Sequence, residues 1–485
     1  MADRGVPQLP TLEKAGRKRQ WVADVGSGRK ALPVVPGLPT ILPPVRRVPP
    51  QKLPGLLVPE PEREYSRPRY GERFRCIGSD CEDTCCKDWG VPIDRLTYEK
   101  YRSSEVLKPH LGTLIVLNTE TSTASDFARI PLTAQASCPF LDSESLCGIQ
   151  KQLGAGMLSV TCATYPRAVS KGGSETENAL NLSCPEAARL TLLDPNLLGD
   201  SRHEAGTSRD RYAAIRRDAA RLPRVYEPHL AIREYGLQLL ADRKYPLWQR
   251  LYLLDILARR LETLRGTASA AEWCAANPLQ VAKLLADSAR VVVLGKLRPA
   301  MDEIKAQPGE QLQLLVELLK VRIFSRTPAP ARFSECVQDF ELGLGTITAK
   351  TEGEILDAYA TGYRRYYMPL MERHPHLLEN YLTNHVFKNG YPFGRQRNVP
   401  LPGMVNAESE HLTMCVHLAL AQMLLIGMAN RYGDAFDVTH VVKLVQSLAK
   451  AIEHSGHFLD RIPGFLHARK LDNPRGVALL LKLAD

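Results

Sequence analysis

The chain has 485 residues, of which 44% are hydrophobic and 24% charged, as in a globular protein large enough for two or three domains. Its formal net charge of +10 is uneven, because residues 1–60 carry ten Lys and Arg against four Asp and Glu, which leaves only +4 for the rest. A nucleic-acid-binding groove needs basic charge on the folded part, so we expect no nucleic-acid partner.

The most apolar stretch is CVHLALAQMLLIGMA (415–429), which falls short of the roughly 18 apolar residues of a membrane span and contains His417 and Gln422. We therefore expect a buried helix there and no transmembrane segment. No apolar run follows the first positive charges, so the N-terminus does not resemble a secretory signal. These features predict a cytoplasmic protein, in a compartment where clustered cysteines bind metal more often than they form disulfides.

Residues 1–68 hold thirteen of the 35 prolines, and this density predicts a disordered, basic tail. The tail contains WVADVGSGRK (21–30), which resembles the glycine loop of a Rossmann-type cofactor site. Its third glycine is missing and prolines follow at once, so we do not interpret it as a cofactor loop.

Residues 69–200 form a cysteine-rich region of weak periodicity, with an expected helix at 94–102 and an expected extended pair at 114–131. Residues 201–485 show apolar residues three and four apart, which predicts a large α-helical domain. The clearest helical segments are 211–222, 231–243, 247–264, 310–324, 410–431 and 441–453. The predicted fold is therefore mainly α: an irregular Cys-rich metal-binding domain, then a large α-helical domain, after a disordered N-terminal tail.

Eight of the eleven cysteines lie between residues 76 and 184, whereas Cys274, Cys336 and Cys415 are scattered singly. The eight are Cys76, Cys81, Cys85, Cys86, Cys138, Cys147, Cys162 and Cys184. Between residues 70 and 200 the only histidine is His110, so the ligands would be almost all thiolate, which suits zinc or an iron–sulfur cluster. One site needs four thiolates, so either two sites exist or some of the cysteines are spare.

Three acids between the first cysteines, Asp80, Glu82 and Asp83, are interpreted as solvated rather than as ligands, because carboxylate oxygen is a harder ligand than thiolate. Adjacent cysteines rarely bridge each other, so Cys85 and Cys86 also argue against a disulfide framework.

The motifs FRCIGSDCEDTCCKDWG (74–90), CPFL (138–141), LCGIQ (146–150), TCATYPR (161–167) and SCPEAA (183–188) resemble the flagellin lysine-N-methylase family. A later block, HLLENYLTNHVFKNGYPFG (376–394), is also similar to that family. The resemblance covers residues 69–485. It implies a bacterial cytoplasmic enzyme that transfers methyl from S-adenosylmethionine to surface lysines of flagellin, or of a similar bacterial protein.

The resemblance also implies a cysteine-held [4Fe–4S] cluster, with the eight cysteines as candidate ligands and zinc as the alternative metal. The pattern departs from the Cys-x3-Cys-x2-Cys of radical S-adenosylmethionine enzymes, because Asp88 stands where the third cysteine would be. Near the cysteines, Tyr165 is a candidate catalytic residue that would accept or relay the amine proton. Arg167 is a candidate catalytic and cofactor-binding residue that would bind the cofactor carboxylate.

Other readings stay open at this point. The second block, with Glu379, Asn380 and Tyr381, would either shape the site or close the helical domain against the cysteine domain. Four tyrosines at helical spacing, Tyr359, Tyr363, Tyr366 and Tyr367, would form an aromatic slot or simply pack. The chain would alternatively be a non-catalytic zinc- or cluster-stabilised scaffold, or an iron–sulfur redox or sensor protein. Nothing in the sequence predicts an oligomeric state.

Overall fold

The structure, a computed structural model, describes residues 68–484 except 120–121, 173–174, 200–226, 267, 269, 324–327, 349, 395–405 and 454–455. The predicted disordered tail with its glycine loop (all but residue 68) and the helix expected at 211–222 lie outside the described residues. Within them the mainly α fold is confirmed, with an irregular cysteine-rich part followed by a large helical part.

The cysteine-rich part is built from short elements joined by loops. Its helices are α1 (Arg95–Arg102), α2 (Gly148–Leu153), α3 (Val160–Thr164) and α4 (Pro185–Leu192), with 3-10 turns at Tyr70–Glu72, Gly78–Asp80, Lys108–His110 and Ala155–Met157. Strands β1 (Val91–Ile93), β2 (Val116–Leu117) and β3 (Ala128–Ile130) form an antiparallel sheet in the order β1-β3-β2, and β4 (Arg167–Gly172) and β5 (Glu175–Leu180) form a hairpin. The expected helix at 94–102 and extended pair at 114–131 are confirmed.

The rest of the described chain is helical. Its helices are α5 (Glu227–Leu240), α6 (Leu247–Arg265), α7 (Ala270–Ala276), α8 (Pro278–Val293), α9 (Arg298–Asp302), α10 (Pro308–Ile323), α11 (Ala331–Leu344), α12 (Glu352–Thr361), α13 (Met368–Arg373), α14 (His376–Asn389), α15 (Ala407–Tyr432), α16 (Val438–Ile452), α17 (Gly456–Ala468) and α18 (Pro474–Leu481). A π-helical turn, Gly362–Tyr367, joins α12 to α13, and 3-10 turns lie at Thr346–Thr348 and Gly433–Ala435. The helices expected at 231–243, 247–264, 310–324, 410–431 and 441–453 are therefore present.

Helix α15 is the centre of the helical part. It starts at a capping box in which Asn406 accepts from the amide of Ser409, and it packs against α6, α11, α16 and α18. By length and composition this helix could span a membrane, but 94% of its apolar window is buried inside the protein. The expectation of a buried core helix is confirmed.

Helices α11 and α15 cross at two glycines. A Cβ on Gly343 would lie 1.9 Å from the carbonyl oxygen of Gly427, and a Cβ on Gly427 would lie 2.4 Å from the ring of Phe340. Only glycine allows backbones to approach this closely. Asn430 fixes the crossing by donating to the carbonyl of Gly343 at 2.8 Å.

Two hydrophobic cores are present. The smaller one lies within residues 86–162 and comprises nine buried residues with partly buried side chains packed against them. The larger one combines the helices with Ala168, Leu180, Ala187 and other buried residues of the β4–β5 hairpin and α4. The last part of the cysteine-rich region is therefore packed as one body with the helices.

Two asparagines of α14 hold that packing by binding backbone groups. Asn384 accepts from the Tyr70 hydroxyl at 2.7 Å and from the amide of Leu180 at 3.1 Å, and it donates to the Leu180 carbonyl at 2.9 Å. Asn380 donates to the carbonyls of Thr191 (3.0 Å) and Asp194 (2.7 Å), at the end of α4. This part of the second sequence block joins the helices to the cysteine-rich part.

We expect Asn384→Ala to lower the free energy of unfolding by about 3 kcal/mol, because buried donors and acceptors of Tyr70 and Leu180 lose their partner. Chemical denaturation followed by circular dichroism measures the loss. Thr383→Ala, at the neighbouring half-buried position on the same helix, is the control and should change stability by less than about 1 kcal/mol. Equal losses in both variants would contradict the docking role of Asn384.

Candidate metal centre and adjacent cavity

All eleven cysteines are free thiols in the structure. Within the described part of the chain, no group of three or more His, Cys, Asp or Glu side chains is placed so that it could hold a metal ion as it stands. The eight clustered thiols are instead held near one another in two sets, which the elements around them define.

The first set, here called the core set, is Cys86, Cys138, Cys147 and Cys162. Cys138 is a buried member of the smaller hydrophobic core, and the other three are partly buried and pack against it. The Cys138 amide donates to the Cys86 carbonyl at 2.7 Å. The backbone of Cys147 forms an antiparallel β-bridge with that of Leu141, three residues after Cys138. Burial, and then the negative charges of neighbouring thiolates of this set, raises the pKa of Cys138 to about 11 and of Cys162 to about 12.

The second set, here called the surface set, is Cys76, Cys81, Cys85 and Cys184. Gln446 brings its parts together, because its side-chain nitrogen donates both to Asp83, between Cys81 and Cys85, at 2.8 Å and to the carbonyl of Ser183 at 2.9 Å. The pKa of Cys184 is raised to about 12, by burial first and then by Cys81 and Cys76. Cys76 and Cys85 are exposed.

Two of the cysteines lie at the N-terminus of a helix. Cys147 precedes α2 and Cys184 precedes α4. The amides of Ile149 and Gln150 lower the pKa of Cys147, although they form no capping hydrogen bond and burial still raises that pKa overall. Amides at helix N-termini stabilise negative charge, so these positions suit thiolates that bind metal.

Cys85 and Cys86 form a coupled pair at the junction of the two sets. The Cys85 thiol donates to the Cys86 sulfur, which lowers the pKa of Cys86 to about 7 and raises that of Cys85. Thr84 and Lys450 contribute to the lowering at Cys86. Cys86 is therefore the most readily ionised thiol of the pair.

The loop between the first cysteines is held by a buried lysine of α16. The Lys450 ammonium, in a side chain 3% exposed, lies 2.7 Å from Asp83 and 3.1 Å from Asp88, and it donates to the carbonyl of Thr84 at 3.2 Å. The interpretation of Asp83 as a solvated acid is wrong, because Asp83 is 14% exposed and paired with Lys450 and Gln446.

Glu82 is also paired, which corrects the same interpretation. Its carboxylate lies 2.6 Å from Arg189 on α4 and 3.6 Å from Arg332 on α11. Because Arg189 follows Cys184 on α4, this pair places the Cys81 loop beside the start of α4.

The structure places Tyr165 at the surface set. Its hydroxyl bonds the Ser183 hydroxyl at 3.0 Å, and its ring lies against Trp89 with centroids 5.7 Å apart. Burial, and then the charges of Cys184 and Cys85, raises the Tyr165 pKa well above its usual value. A phenol with a raised pKa stays protonated, which favours a donor role over acceptance of a proton.

Arg167 is bound to the backbone. Its guanidinium donates to the Phe74 carbonyl at 2.9 Å and lies 5.1 Å from the centre of the Phe74 ring. Arg167 therefore fixes the chain two residues before Cys76.

The single histidine of this region, His110, belongs to neither thiol set. Its ring packs edge-on against the ring of Phe140, with the two ring centres 5.6 Å apart.

The remaining candidates from the sequence, the four tyrosines and Glu379, have contacts that stabilise the helical part. Tyr359 and Tyr367 are buried, and Tyr363 stacks on Tyr367 with centroids 6.0 Å apart, so these rings pack into the helical core rather than lining an open slot. Glu379 accepts from Arg243 and Arg250 at 2.7 Å each, which stabilises the helices.

An open cavity of about 350 Å³ lies beside the surface set. Its lining includes Glu82, Arg189, Arg332, Tyr432, His440 and Lys443. The Tyr432 and His440 rings lie 4.1 Å apart, and Asp437 bonds the His440 ring at 2.9 Å. The volume falls within the range of about 300–1,000 Å³ that is usual for small-molecule sites. The lining holds three permanent cations and one carboxylate, which suits a ligand that carries an acid group.

Comparison with known proteins bears on the helical part. A family model described as the FliB lysine N-methylase C-terminal domain matches residues 233–480, just over half of the chain. The chain belongs to this family. The matched range contains the cavity residues Arg332, Tyr432, His440 and Lys443, and it begins after the last of the eight clustered cysteines.

The alignments with individual relatives cover fewer residues of this chain than the family model does. The "Lysine-N-methylase" of Salmonella typhimurium is 36% identical over 139 residues, which are 28% of this chain and 34% of that protein. The "Flagellar biosynthetic protein FliU" of Salmonella muenchen is 35% identical over 139 residues, or 82% of its length. The chain thus spans about a third of the length of the Salmonella typhimurium protein that it matches. No solved structure matches the chain.

Sequence reasoning missed the helical residues that serve the cysteine loops, namely Gln446, Lys450 and the cavity residue His440. One signal for Lys450 was available: it stands in SLAKAI (447–452), where a lone charge within an apolar run indicates a buried partner. The cavity had no such signal, since its walls come from four separate segments of the chain.

We expect Lys450→Met to loosen residues 76–90, because Asp83 and Asp88 would lose their shared cation in a largely buried position. The expected loss of stability is about 3 kcal/mol, with faster hydrogen exchange confined to that loop. Lys443→Met, on the same helix but paired with the exposed Glu335, is the control and should cost less than about 1 kcal/mol. Unchanged exchange of the loop in Lys450→Met would show that the lysine does not hold it.

Proposed function

We propose that the chain is a protein-lysine N-methyltransferase of the bacterial cytoplasm that transfers methyl from S-adenosylmethionine to surface lysines of flagellin, or of a similar bacterial protein. A cysteine-held iron–sulfur cluster is part of the proposal. The observation that carries it is the FliB family match, whose range supplies most walls of a cavity that adjoins a set of thiols.

The cavity is the proposed site of the methyl donor. S-adenosylmethionine supplies a methyl group on a positively charged sulfur and carries an adenine, a carboxylate and an amino group. Arg332 and Lys443 offer cations for the carboxylate. The Tyr432 and His440 rings offer a stacking surface for the adenine, and Glu82 offers a counter-charge for the amino group.

The surface set has the donor chemistry that an iron–sulfur cluster needs, which is four cysteine sulfurs from irregular loops. A cluster on Cys76, Cys81, Cys85 and Cys184 would supply a folding centre for this part of the chain and an iron centre next to the cavity. Zinc on the same four thiolates is the alternative. Three side chains of this protein, Gln446, Lys450 and Arg189, would hold the loop that carries Cys81 and Cys85 in position for the metal.

Methyl transfer requires a neutral lysine amine, whose pKa in water is about 10.4. His440 is the proposed proton acceptor, because its ring lines the cavity and is oriented by Asp437 at 2.9 Å. Glu82 is less suited to this role, since its carboxylate is already paired with Arg189 and Arg332. The amine nitrogen bonds to the methyl carbon as the bond from carbon to sulfur breaks, and the amine proton passes to His440.

The protein substrate is inferred from the relatives. One of them is named a flagellar biosynthetic protein, which supports flagellin or a flagellar protein as the methyl acceptor. The basic excess of the chain lies mainly in residues 1–60, and no nucleic-acid partner is proposed.

The test of the activity uses the full chain, purified without oxygen, with methyl-labelled S-adenosylmethionine and flagellin. We expect label on lysine side chains, located by mass spectrometry, and its loss when the flagellin lysines are acetylated beforehand. His440→Asn should lower the rate about 100-fold with unchanged iron content, whereas His467→Asn, an exposed histidine bonded to Asp472, should keep the full rate. Absence of label on flagellin and on other lysine-rich proteins would overturn the proposal and favour a scaffold or a redox protein.

The test of the cluster is the metal content of the same preparation. We expect iron and acid-labile sulfide in equal amounts, with about four irons in the cluster and a broad absorption band near ~400 nm. Zinc without sulfide, in protein never exposed to air, would contradict the cluster while leaving the methyl-transfer test to be decided separately.

A further inference from the structure

We propose that the core set, Cys86, Cys138, Cys147 and Cys162, is a second, separate four-thiolate metal site of structural type. The proposed function needs one cluster, on the surface set, and uses none of these four sulfurs. The inference therefore concerns a different site, and its test does not depend on methyl transfer.

The first step is the location of the four sulfurs. Cys138 is a buried member of the smaller hydrophobic core, and the other three pack against it. Cys76, Cys81 and Cys184 are outside that core, and Cys184 belongs to the larger one. The core set therefore shares one hydrophobic core, whereas no member of the surface set lies in or against that core.

The second step is the backbone, which brings four separate segments to one place. The Cys138 amide binds the Cys86 carbonyl at 2.7 Å, and the Gly148 amide binds the Phe140 carbonyl at 2.7 Å, beside Cys147. Helix α3, which carries Cys162, is held when Asp94 accepts from the amide of Val160 at 3.1 Å. These bonds fix the loops before any metal binds.

The third step is stability. The smaller core has nine buried residues, and the elements around it are strands of two or three residues and helices of five to eight. A core of this size in irregular sequence stabilises a fold weakly, and a metal held by four thiolates commonly supplies the missing free energy. A closed, all-cysteine site is the usual form of structural zinc.

The fourth step is the junction. Cys85 and Cys86 are adjacent, yet Cys85 is exposed and Cys86 is partly buried against the smaller core. Trp89 donates to the Cys85 carbonyl at 2.8 Å, while the Cys86 carbonyl accepts from Cys138. The two cysteines thus lie in different surroundings, and the proposal assigns Cys85 to the surface set and Cys86 to the core set. This assignment would explain why eight thiols are clustered where one site needs four.

The test compares the metal content of full-length variants purified without oxygen, measured as iron, zinc and sulfide per chain. We expect Cys138→Ser to lose the metal of the core set and to keep that of the surface set, and Cys184→Ser to do the reverse. The two losses should together equal the content of the unmodified chain. Cys274→Ala, which removes a buried cysteine of the helical part, is the control and should keep the full content.

Native mass spectrometry of the unmodified chain gives a second readout, which needs no variant to fold. We expect a mass that exceeds the polypeptide by two centres, for example a four-iron cluster plus one zinc. Cys147→Ser, at a half-buried position, replaces Cys138→Ser if that variant aggregates. A mass with one centre, or the loss of all metal from each single variant, would overturn the second site.

Discussion

The cysteine loop depends on one buried cation. Lys450 reaches from α16 into a region that contains Asp83, Asp88 and several thiols, and its charge is almost fully removed from water. A buried charge is tolerated only when it is paired. The loop that carries Cys81, Cys85 and Cys86 can therefore take its position only against α16, and the helical part is needed for the cysteines to be in place.

A second constraint acts on the backbone rather than on charge. Asn380 and Asn384 lie one turn apart on α14. They bind main-chain groups of α4 and β5, and Asn384 also accepts from the side-chain hydroxyl of Tyr70. Backbone recognition of this kind is insensitive to the side chains of the cysteine-rich part.

Much of the fold could be predicted from sequence. Periodic apolar residues located the long helices, and the density of cysteines located the irregular region, because both are local patterns. The acids Glu82 and Asp83 were misinterpreted because their partners, Arg189 and Lys450, are more than 100 positions away. Likewise, the sequence left open whether eight thiols make one site or two, since the division depends on where the folded chain places each sulfur.

Helix α15 has a consequence for synthesis of the chain. Its apolar residues are covered partly by α16 and α18, which are translated after it. In a chain that stops near residue 435, part of the apolar surface of α15 would therefore be exposed to solvent. This helix is long and apolar enough to enter a bilayer. Because α16 and α18 lie in the last fifty residues, we expect a chain that lacks them to aggregate rather than to form a smaller working protein.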